Sequence, residues 1–485
     1  MRITRRNRTM TWATNLRALA SAALMTVLLT GFAVTGATMA NAAPADGEGR
    51  VESAPPNIVY IMLDDAGYGD FSCYGQEDFT TPNIDRIAEE GMRFTNHYSG
   101  STVCAPTRCS LMTGLHTGHC VVRGNREVKP EGQAPMPADT VTIPRLLKKA
   151  DYTTGMFGKW GLGAPGSPSD PVEHFDVFFG YNCQRQAHNY YPKHLWSNDE
   201  KVPLDGETYA HDLIVEQALK FIRDHHEGPF FAYLPVTIPH AAMHVPEESM
   251  APFRKKFPHF ENVIGRYAGP EVRNPVAAFA GMMTRLDGQV GQLMALLKEL
   301  EIDDRTLVMV TSDNGPHLEG GHKPDFFDSN GPLRGHKRDL YEGGIRVPLI
   351  ARWPGKITPG TESELICAHW DMLPTICELA AVEAPETDGI SIVPTLTGIG
   401  DQQEHRYLYW EYSPRGTQAV RKGQWKAVRF LPRRKRKEKI ELYDLSQDLG
   451  ETSDVSDEHP EIVQQMLEIM RKAHVPSERF PLIRK

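Results

Sequence analysis

Residues 57–65 read NIVYIMLDD, in which the apolar run Asn57–Leu63 is followed at once by two carboxylates, Asp64 and Asp65. A continuous apolar run of this length predicts a strand that is buried on both faces of a sheet. Three more short apolar runs end in polar or glycine-rich residues: Thr153–Phe157, Phe230–Val236 and Thr306–Val310. Helical patterns separate these runs, at Thr81–Glu90, Ile143–Ala150, Tyr209–Asp224 and Ala277–Leu300. This alternation predicts an α/β protein with a large doubly wound sheet and helices on both faces.

The pattern changes after residue 400. Short alternating segments joined by turns predict a small antiparallel sheet, at Tyr407–Tyr412, Gln418–Arg421, Trp425–Phe430 and Lys439–Tyr443. A helix is predicted near Glu461–Ala473. We therefore expect a main domain over residues 43–400 and a smaller C-terminal domain over 401–485. The basic run Arg433–Lys437 lies between two of these strands and is interpreted either as a solvated hairpin tip or as a contact for an anionic polymer.

The composition excludes several classes of protein. The chain has 485 residues, of which 40% are hydrophobic and 24% charged, and its formal net charge is −9. These values are ordinary for globular proteins and exclude wholesale disorder and a polytopic membrane protein. The negative net charge argues against a nucleic-acid partner, since binding to nucleic acid depends on neutralising its phosphates.

The first 42 residues have the anatomy of a secretory signal peptide. Several arginines precede an apolar run from Leu19 to about Ala37, and Ala40-Asn41-Ala42 places small residues at a cleavage site. We predict that residues 1–42 are removed and that the protein is exported, to the periplasm or the medium, with no stable membrane insertion afterwards. The alternative is an uncleaved membrane anchor.

Oxygen-bearing side chains follow two of the predicted strands. Asp64 and Asp65 end the first, and Asp313 and Asn314 follow the strand at Thr306–Val310. Ligands of parallel sheets bind beyond the carboxyl ends of the strands. An all-oxygen set with this much negative charge favours a hard divalent cation, Ca²⁺ or Mg²⁺, over Zn²⁺, and we interpret these four residues as metal ligands.

A second group of residues lies in the segment 104–114, which reads CAPTRCSLMTG. Pro106 suits a first helical turn and Gly114 a helix end, so Cys104 is predicted at a helix N-terminus, where anions are stabilised. Arg108 lies one turn later on the same face. The chain has seven cysteines, an odd number, and half of a disulfide is the alternative role for any one of them.

The CAPTR segment resembles the C-x-P-x-R signature of type I sulfatases. The similarity continues, in the family's order, through segments that read DDAGYGD at 64–70, TPNID at 81–85, GKW at 158–160, SDNG at 312–315, LRGHK at 333–337 and YEGGIRVP at 341–348. The closing segments LYDL at 442–445 and DLGET at 448–452 are similar as well. The resemblance is to the arylsulfatase A and N-acetylgalactosamine-sulfatase branch, and it implies a mixed sheet like that of alkaline phosphatase.

The resemblance also implies a mechanism. In type I sulfatases a separate formylglycine-generating enzyme oxidises the motif cysteine, here Cys104, to Cα-formylglycine, whose hydrate attacks the sulfur. Arg108 would steady this group and the metal, Lys159 and Lys337 would bind sulfate oxygens, and His240 would protonate the leaving oxygen.

One position departs from the family. The usual sequence is Gly-Lys-Trp-His-Leu-Gly, whereas this chain has Gly161 in place of the histidine that contacts the formylglycine hydroxyl. We expect Asn182 or His188 to substitute for it, or the second chemical step to be altered.

The expected substrate is a sulfated carbohydrate, with a galactose- or N-acetylgalactosamine-type sugar as the narrower hypothesis. Arg185, His188 and His244 are interpreted as sugar-binding residues. Two alternatives stay open at this point. One is a phosphonate or phosphate ester hydrolase with the same motif and metal site, and the other is a homologue that binds sulfated glycans without turnover.

Overall fold

The computed structural model describes residues 55–433 and 436–483. The predicted signal peptide, residues 1–42, lies outside the described residues, as do Arg434 and Lys435 of the basic run.

The strands are β1 Asn57–Leu63, β2 Met92–Phe94, β3 His97–Tyr98, β4 Thr153–Lys159, β5 Val177–Tyr181, β6 His194–Ser197, β7 Glu200–Pro203, β8 Phe230–Pro235, β9 Ile264–Gly265, β10 Val272–Arg273, β11 Thr306–Ser312, β12 Leu349–Arg352, β13 Thr361–Ser363, β14 Cys367–Ala368, β15 Leu408–Tyr412, β16 Thr417–Lys422, β17 Trp425–Phe430 and β18 Lys439–Asp444. The α-helices are α1 Pro82–Glu89, α2 Cys104–Thr113, α3 Ile143–Leu147, α4 Ala210–His225, α5 Glu247–Lys256, α6 Pro275–Glu299, α7 Pro324–Phe327, α8 Glu342–Ile345, α9 Met372–Leu379, α10 Val393–Thr397 and α11 Pro460–Ala473.

A mixed ten-stranded sheet forms the centre of the protein, in the order β13-β2-β12-β11-β1-β8-β4-β5-β6-β7. The five strands from β11 to β5 are parallel, and β12 and β6 pair antiparallel to the two ends of this set. The doubly wound α/β fold predicted from the apolar runs is therefore confirmed, and β1 lies in the middle of the sheet.

Both faces of β1 are buried, as its unbroken apolar sequence requires. Val59, Ile61 and Leu63 pack on one side with residues of α4 and α6. The alternate residues of the strand pack on the other side with α2, α3 and α9. This arrangement brings α2, which begins at Cys104, against the face of the sheet next to the end of β1.

The predicted C-terminal sheet is also present. Strands β15 to β18 form a four-stranded antiparallel sheet, and α11 contributes Met466 and Met470 to a core on it. A second core joins this sheet to the larger part of the molecule, since Trp410 packs with Tyr98 and Trp370. The division at residue 400 stays a prediction. Among the described residues, no helix combines the length and apolar character needed to cross a bilayer.

The start of α1 is held by a buried carboxylate from another helix. Asp287 of α6 is 3% exposed and accepts hydrogen bonds from the backbone N–H groups of Asn83 and Ile84, both at 2.9 Å. The amide of Asn83 donates to the same carboxylate at 2.8 Å. These backbone donors belong to the first turn of α1 and have no partner within the helix.

Removing this cap will destabilise the fold. We expect Asp287→Ala to lower the free energy of unfolding by about 2–3 kcal/mol. The substitution removes the charged acceptor and leaves buried N–H donors without a hydrogen-bond partner. Denaturant unfolding followed by circular dichroism measures the change. Glu299→Ala is the control, since Glu299 lies on the same helix but is exposed, and the cost expected there is below about 1 kcal/mol. Equal effects of the two substitutions would contradict the capping role.

Candidate active site

The carboxyl ends of the central strands meet at one edge of the sheet and bring together residues that are far apart in sequence. Asp64 and Asp65 follow β1, Asp313 and Asn314 follow β11, and Lys159 ends β4. The chain beyond β8 adds His240, the first turn of α2 adds Cys104 and Arg108, and the loop before α8 adds Lys337. All of these side chains are buried.

Three of the four oxygen-bearing residues, Asp65, Asp313 and Asn314, are hydrogen-bonded to one another. The backbone N–H of Asp65 donates to Asp313 Oδ1 at 3.0 Å, and Asn314 Nδ2 donates to Asp65 Oδ1 at 2.7 Å. Asp65 has a φ of 70°, a left-handed conformation in which few residues other than glycine are found. The other amide atom, Asn314 Oδ1, is buried and has no hydrogen-bond partner among the described residues. An oxygen in this condition is available to a cation.

Three cations neutralise these carboxylates. Lys159 Nζ lies 2.5 Å from Asp64 Oδ2, and Lys337 Nζ lies 2.7 Å from Asp65 Oδ2. Arg108 Nη2 lies 3.1 Å from Asp313 Oδ2 and 3.7 Å from Asp64 Oδ2. The guanidinium of Arg108 therefore bridges the ends of β1 and β11.

The pKa values in the site reflect this balance of burial and charge. Burial alone would raise the pKa of Asp64, but the charge of Lys159 holds it well below its ordinary value. Burial, together with the neighbouring charge of Asp64, raises the pKa of Asp313 to about 7. Burial disfavours the charged form of Lys337, yet the adjacent Asp65 raises its pKa well above the usual range.

Cys104 lies within this cluster. Its Sγ donates to Asp64 Oδ1 at 3.3 Å and lies 3.8 Å from Lys337 Nζ. Burial and the charge of Asp64 raise the pKa of the thiol. The predicted position of this residue, in the first turn of a helix that ends at Gly114 in a left-handed conformation, is confirmed. The side chain is thus placed between a carboxylate and an ammonium group at the positive end of α2.

A stack of aromatic side chains forms one wall of the site. His240 Nε2 lies 3.3 Å from Asp65 Oδ2, and the His188 ring stacks on His240 with centroids 4.3 Å apart and an angle of 4°. His317 stacks on His240 at 5.5 Å, and Tyr267, which is 44% exposed, meets His188 edge-on at 5.3 Å. Sequence reasoning missed His317 and Tyr267. His317 could have been found, since it follows Asn314 by only three residues.

Gly161 is explained by its backbone and by its neighbour Gln184. The glycine has a φ of 76°, and a Cβ placed on it would lie 2.9 Å from Gln184 Nε2. A histidine there would be strained by this backbone conformation, and the buried side chain of Gln184 would have to shift to admit it. Of the two predicted substitutes, Asn182 is buried with both amide atoms unpartnered among the described residues, and His188 belongs to the stack on His240.

The structure places the other two predicted sugar-binding residues away from the carboxylates. The Arg185 side chain is 62% exposed and forms an ion pair with Glu127 at 2.6 Å. His244 Nε2 donates to the carbonyl of Pro270 at 2.9 Å and so anchors the turn that carries Tyr267. Their part in sugar binding stays a prediction.

The loop that carries Lys337 is held by the C-terminal sheet. Glu342, five residues later, is fully buried and accepts from Lys426 Nζ of β17 at 2.8 Å. Lys426 also donates to Glu451 at 3.4 Å, and Glu451 accepts the backbone N–H of Glu342 at 2.7 Å. Burial raises the pKa of Glu451 to about 7. The position of Lys337 therefore depends on residues near the end of the chain.

Comparison with known proteins shows the family of the chain. Residues 56–382 match the family described as Sulfatase, which is more than half of the chain. The chain belongs to the sulfatase family. Residues 335–475 of this sulfatase match the family described as N-sulphoglucosamine sulphohydrolase, C-terminal, which covers the Lys337 loop and the four-stranded sheet.

Individual relatives align over most of the sulfatase. N-acetylgalactosamine-6-O-sulfatase of Bacteroides thetaiotaomicron is 30% identical over 86% of this chain and 93% of that protein. Human arylsulfatase A is 32% identical over 79% of this chain and 76% of that protein. The crystal structure of Ps i-CgsB in complex with k-i-k-neocarrahexaose superimposes with a TM-score of 0.72 at 27% identity, covering 86% of this chain and 92% of that one. The protein is thus a hydrolase of sulfuric esters.

Disrupting the buried link to the C-terminal sheet will impair the active site. We expect Lys426→Met to destabilise the sulfatase by about 3–5 kcal/mol, because two buried carboxylates lose their shared cation. The shift of Lys337 that follows will lower kcat/KM by about tenfold or more. Lys422→Met on the neighbouring strand β16 is the control, since Lys422 is exposed and bonds only to Gln465 at 2.9 Å among the described residues. Thermal unfolding and sulfate release measure the two effects, and unchanged values for Lys426→Met would refute the link.

Proposed function

We propose that this sulfatase is an exported, calcium-dependent enzyme that hydrolyses sulfate esters of carbohydrates, using a formylglycine made from Cys104. The observation that carries the proposal is the position of Cys104, whose Sγ lies 3.3 Å from Asp64 and 3.8 Å from Lys337 in a fully buried cluster of carboxylates. A side chain in this place can contact a metal ion and an anionic substrate at once.

The residues of the site fit a calcium ion. Three buried carboxylates and the unpartnered Oδ1 of Asn314 offer only oxygen ligands. Such a set of ligands suits Ca²⁺ better than Zn²⁺, which is usually bound by nitrogen and sulfur. The residues that would hold the ion are Asp64, Asp65, Asp313 and Asn314. When bound, a divalent cation supplies a Lewis acid that polarises sulfuryl oxygens and acidifies a nearby hydroxyl group.

The buried cations and His240 supply the remaining functions. Formylglycine at position 104 supplies a hydrated aldehyde as nucleophile, which divides one difficult displacement into two easier steps. Lys159 and Lys337 bind the negative oxygens of the sulfate, and Arg108 orients the group at position 104 from the next turn of α2. His240 directs Nε2 toward the same cluster and is our candidate for the proton donor to the leaving oxygen.

Relatives support a sugar as the leaving group. The similar proteins include an N-acetylgalactosamine-6-O-sulfatase and a protein crystallised with k-i-k-neocarrahexaose, so both names refer to a carbohydrate. The exposed ring of Tyr267 beside His188 offers the flat surface on which sugar rings commonly pack. We assign the same class of substrate to this sulfatase, with His188 at the sugar and Arg185 and His244 as outer candidates. Export to the periplasm or the medium rests on the predicted signal peptide and gives access to such polymers.

The nucleophile can be tested by mass spectrometry of the peptide that contains Cys104. Protein from a host with a formylglycine-generating enzyme should show this peptide about 18 Da lighter, the difference between thiol and aldehyde. The same protein should release sulfate from N-acetylgalactosamine 6-sulfate or galactose 6-sulfate, whereas Cys104→Ala should not. Cys109→Ala, five residues along the same helix, is the control and should retain activity.

Other outcomes of this experiment favour the alternatives. Turnover of phosphonate esters in preference to sulfate esters by the modified protein would indicate the phosphonate hydrolase. An intact thiol in protein from the native host, with binding of sulfated sugars but no turnover, would indicate a glycan-binding homologue.

The metal assignment predicts a specific loss of calcium binding. We expect Asn314→Leu, which has similar volume but no oxygen, to weaken the affinity of chelator-treated protein for Ca²⁺ by about tenfold or more. Titration calorimetry with calcium chloride measures this without reference to activity. Asn262→Leu, at an exposed position, is the control and should bind calcium as the unsubstituted protein does. Equal affinities in the two variants would remove Asn314 from the ligand set.

A further inference from the structure

A cavity lined by arginines lies beside the Cys104 end of α2. Its volume is about 520 Å³, and its walls come from residues 123–126, from Ser413 and Pro414 after β15, and from residues 479–481 near the C-terminus. A volume of this size is sufficient for a small ligand or one sugar unit. The residues that line it include three arginines and no carboxylate.

Two of the three arginines have charge to offer a ligand. Arg123 is buried and engaged, since it forms an ion pair with Glu411 at 3.1 Å and donates to the carbonyl of Cys120. Arg126 and Arg479 are exposed, and neither forms an ion pair within the described ranges 55–433 and 436–483. Their hydrogen bonds there go to carbonyl oxygens, from Arg126 to Arg479 and from Arg479 to Pro135.

The two arginines are neighbours in the cavity wall, since Arg126 Nη1 lies 3.5 Å from the backbone carbonyl oxygen of Arg479. Partial burial and the charge of Arg126 lower the pKa of Arg479. The Arg479 guanidinium also lies over the ring of Phe480, 5.9 Å from its centroid. Two like charges held together without an acidic partner in an open cavity favour an anion between them, because planar guanidinium groups bind carboxylate and sulfate through paired N–H donors.

The wall of the cavity is hydrogen-bonded to the start of the helix that carries Cys104. Asn125, in its wall, accepts the backbone N–H of Ala105 at 3.0 Å, and Ala105 is the residue next to Cys104. On the other side, Ser413 follows Tyr412, the last residue of β15. The wall of the cavity is therefore in contact with the residue that follows the proposed nucleophile.

We infer that Arg126 and Arg479 form a subsite for a second anionic group, a sulfate or a carboxylate, of a sulfated oligosaccharide whose scissile sulfate lies at Cys104. This inference rests on the proposed function. It makes the substrate a polyanionic glycan fragment and not an isolated sulfated monosaccharide. The lining also gives a reason for the two arginines to be unpaired, since a fixed carboxylate would compete with the substrate.

The test compares substrates that share a scissile sulfate and differ in the rest of the molecule. The probes are galactose 6-sulfate, a chondroitin 6-sulfate tetrasaccharide that adds uronate carboxylates, and a galactan tetrasaccharide with a second sulfate. For the unsubstituted enzyme we expect kcat/KM to be about tenfold or more higher on at least one tetrasaccharide, with the advantage falling as salt is raised. The tetrasaccharide with the larger increase in kcat/KM over galactose 6-sulfate shows whether the subsite binds a carboxylate or a sulfate.

The variant Arg126→Gln/Arg479→Gln should lose this advantage. We expect its kcat/KM on the preferred tetrasaccharide to fall about tenfold, and on galactose 6-sulfate to change less than about twofold. Arg126→Lys/Arg479→Lys should restore part of the loss. The control, Arg223→Ala/Arg305→Ala, makes the same change of net charge at α4 and at the amino end of β11, and should behave as the unsubstituted enzyme. An equal loss on monosaccharide and tetrasaccharide, or no loss on either, overturns the subsite.

Failure of the proposed function would be recognised separately. If the unsubstituted protein hydrolyses none of the sulfate esters, the proposed reaction is wrong. The subsite is then judged by equilibrium binding of the two tetrasaccharides to Cys104→Ala protein with and without the Arg126→Gln/Arg479→Gln substitutions. A loss of affinity of about tenfold supports the subsite, and equal affinity overturns it.

Discussion

The site depends above all on keeping three carboxylates buried side by side. Asp64, Asp65 and Asp313 are brought together by the geometry of parallel strands, and in an apolar interior their mutual repulsion would be prohibitive. Lys159, Lys337 and Arg108 offset this repulsion, each from a different element. In the proposed function, the same cations that permit the cluster to exist also supply positive charge for the anionic substrate. Structural and functional requirements therefore coincide on the same side chains.

This constraint extends outward through the fold. Lys337 is kept in place by the loop before α8, and that loop is fixed by Glu342, Lys426 and Glu451 in a second buried set of charges. The C-terminal sheet thereby acts as a support for the catalytic edge of the large sheet. The cavity beside α2 adds a further contribution from the end of the chain, since Arg479 faces residues that adjoin Cys104.

Much of this could be predicted from sequence, for identifiable physical reasons. The central strands are unbroken apolar runs ended by polar residues, so β1 and β11 and their terminal carboxylates were readily located. The helix from Cys104 to Gly114 was marked by proline at its start and glycine at its end. Tyr267 and Gln184 could not be predicted, because their roles arise from packing between segments and not from local pattern. The fit of Gln184 against Gly161, in particular, depends on a left-handed backbone conformation, and the sequence does not show which of its 41 glycines adopt one.

The buried pairing of Glu342 with Lys426 and Glu451 has a consequence for biosynthesis. A ribosome releases the strands of the large sheet, the cysteine helix and the Lys337 loop well before it reaches the residues that neutralise Glu342. An incomplete chain would hold nearly all of the proposed catalytic side chains, with Glu342 paired to Arg346 at 3.4 Å but without Lys426. The loop that carries Lys337 therefore gains its full set of buried partners after translation has passed residue 451.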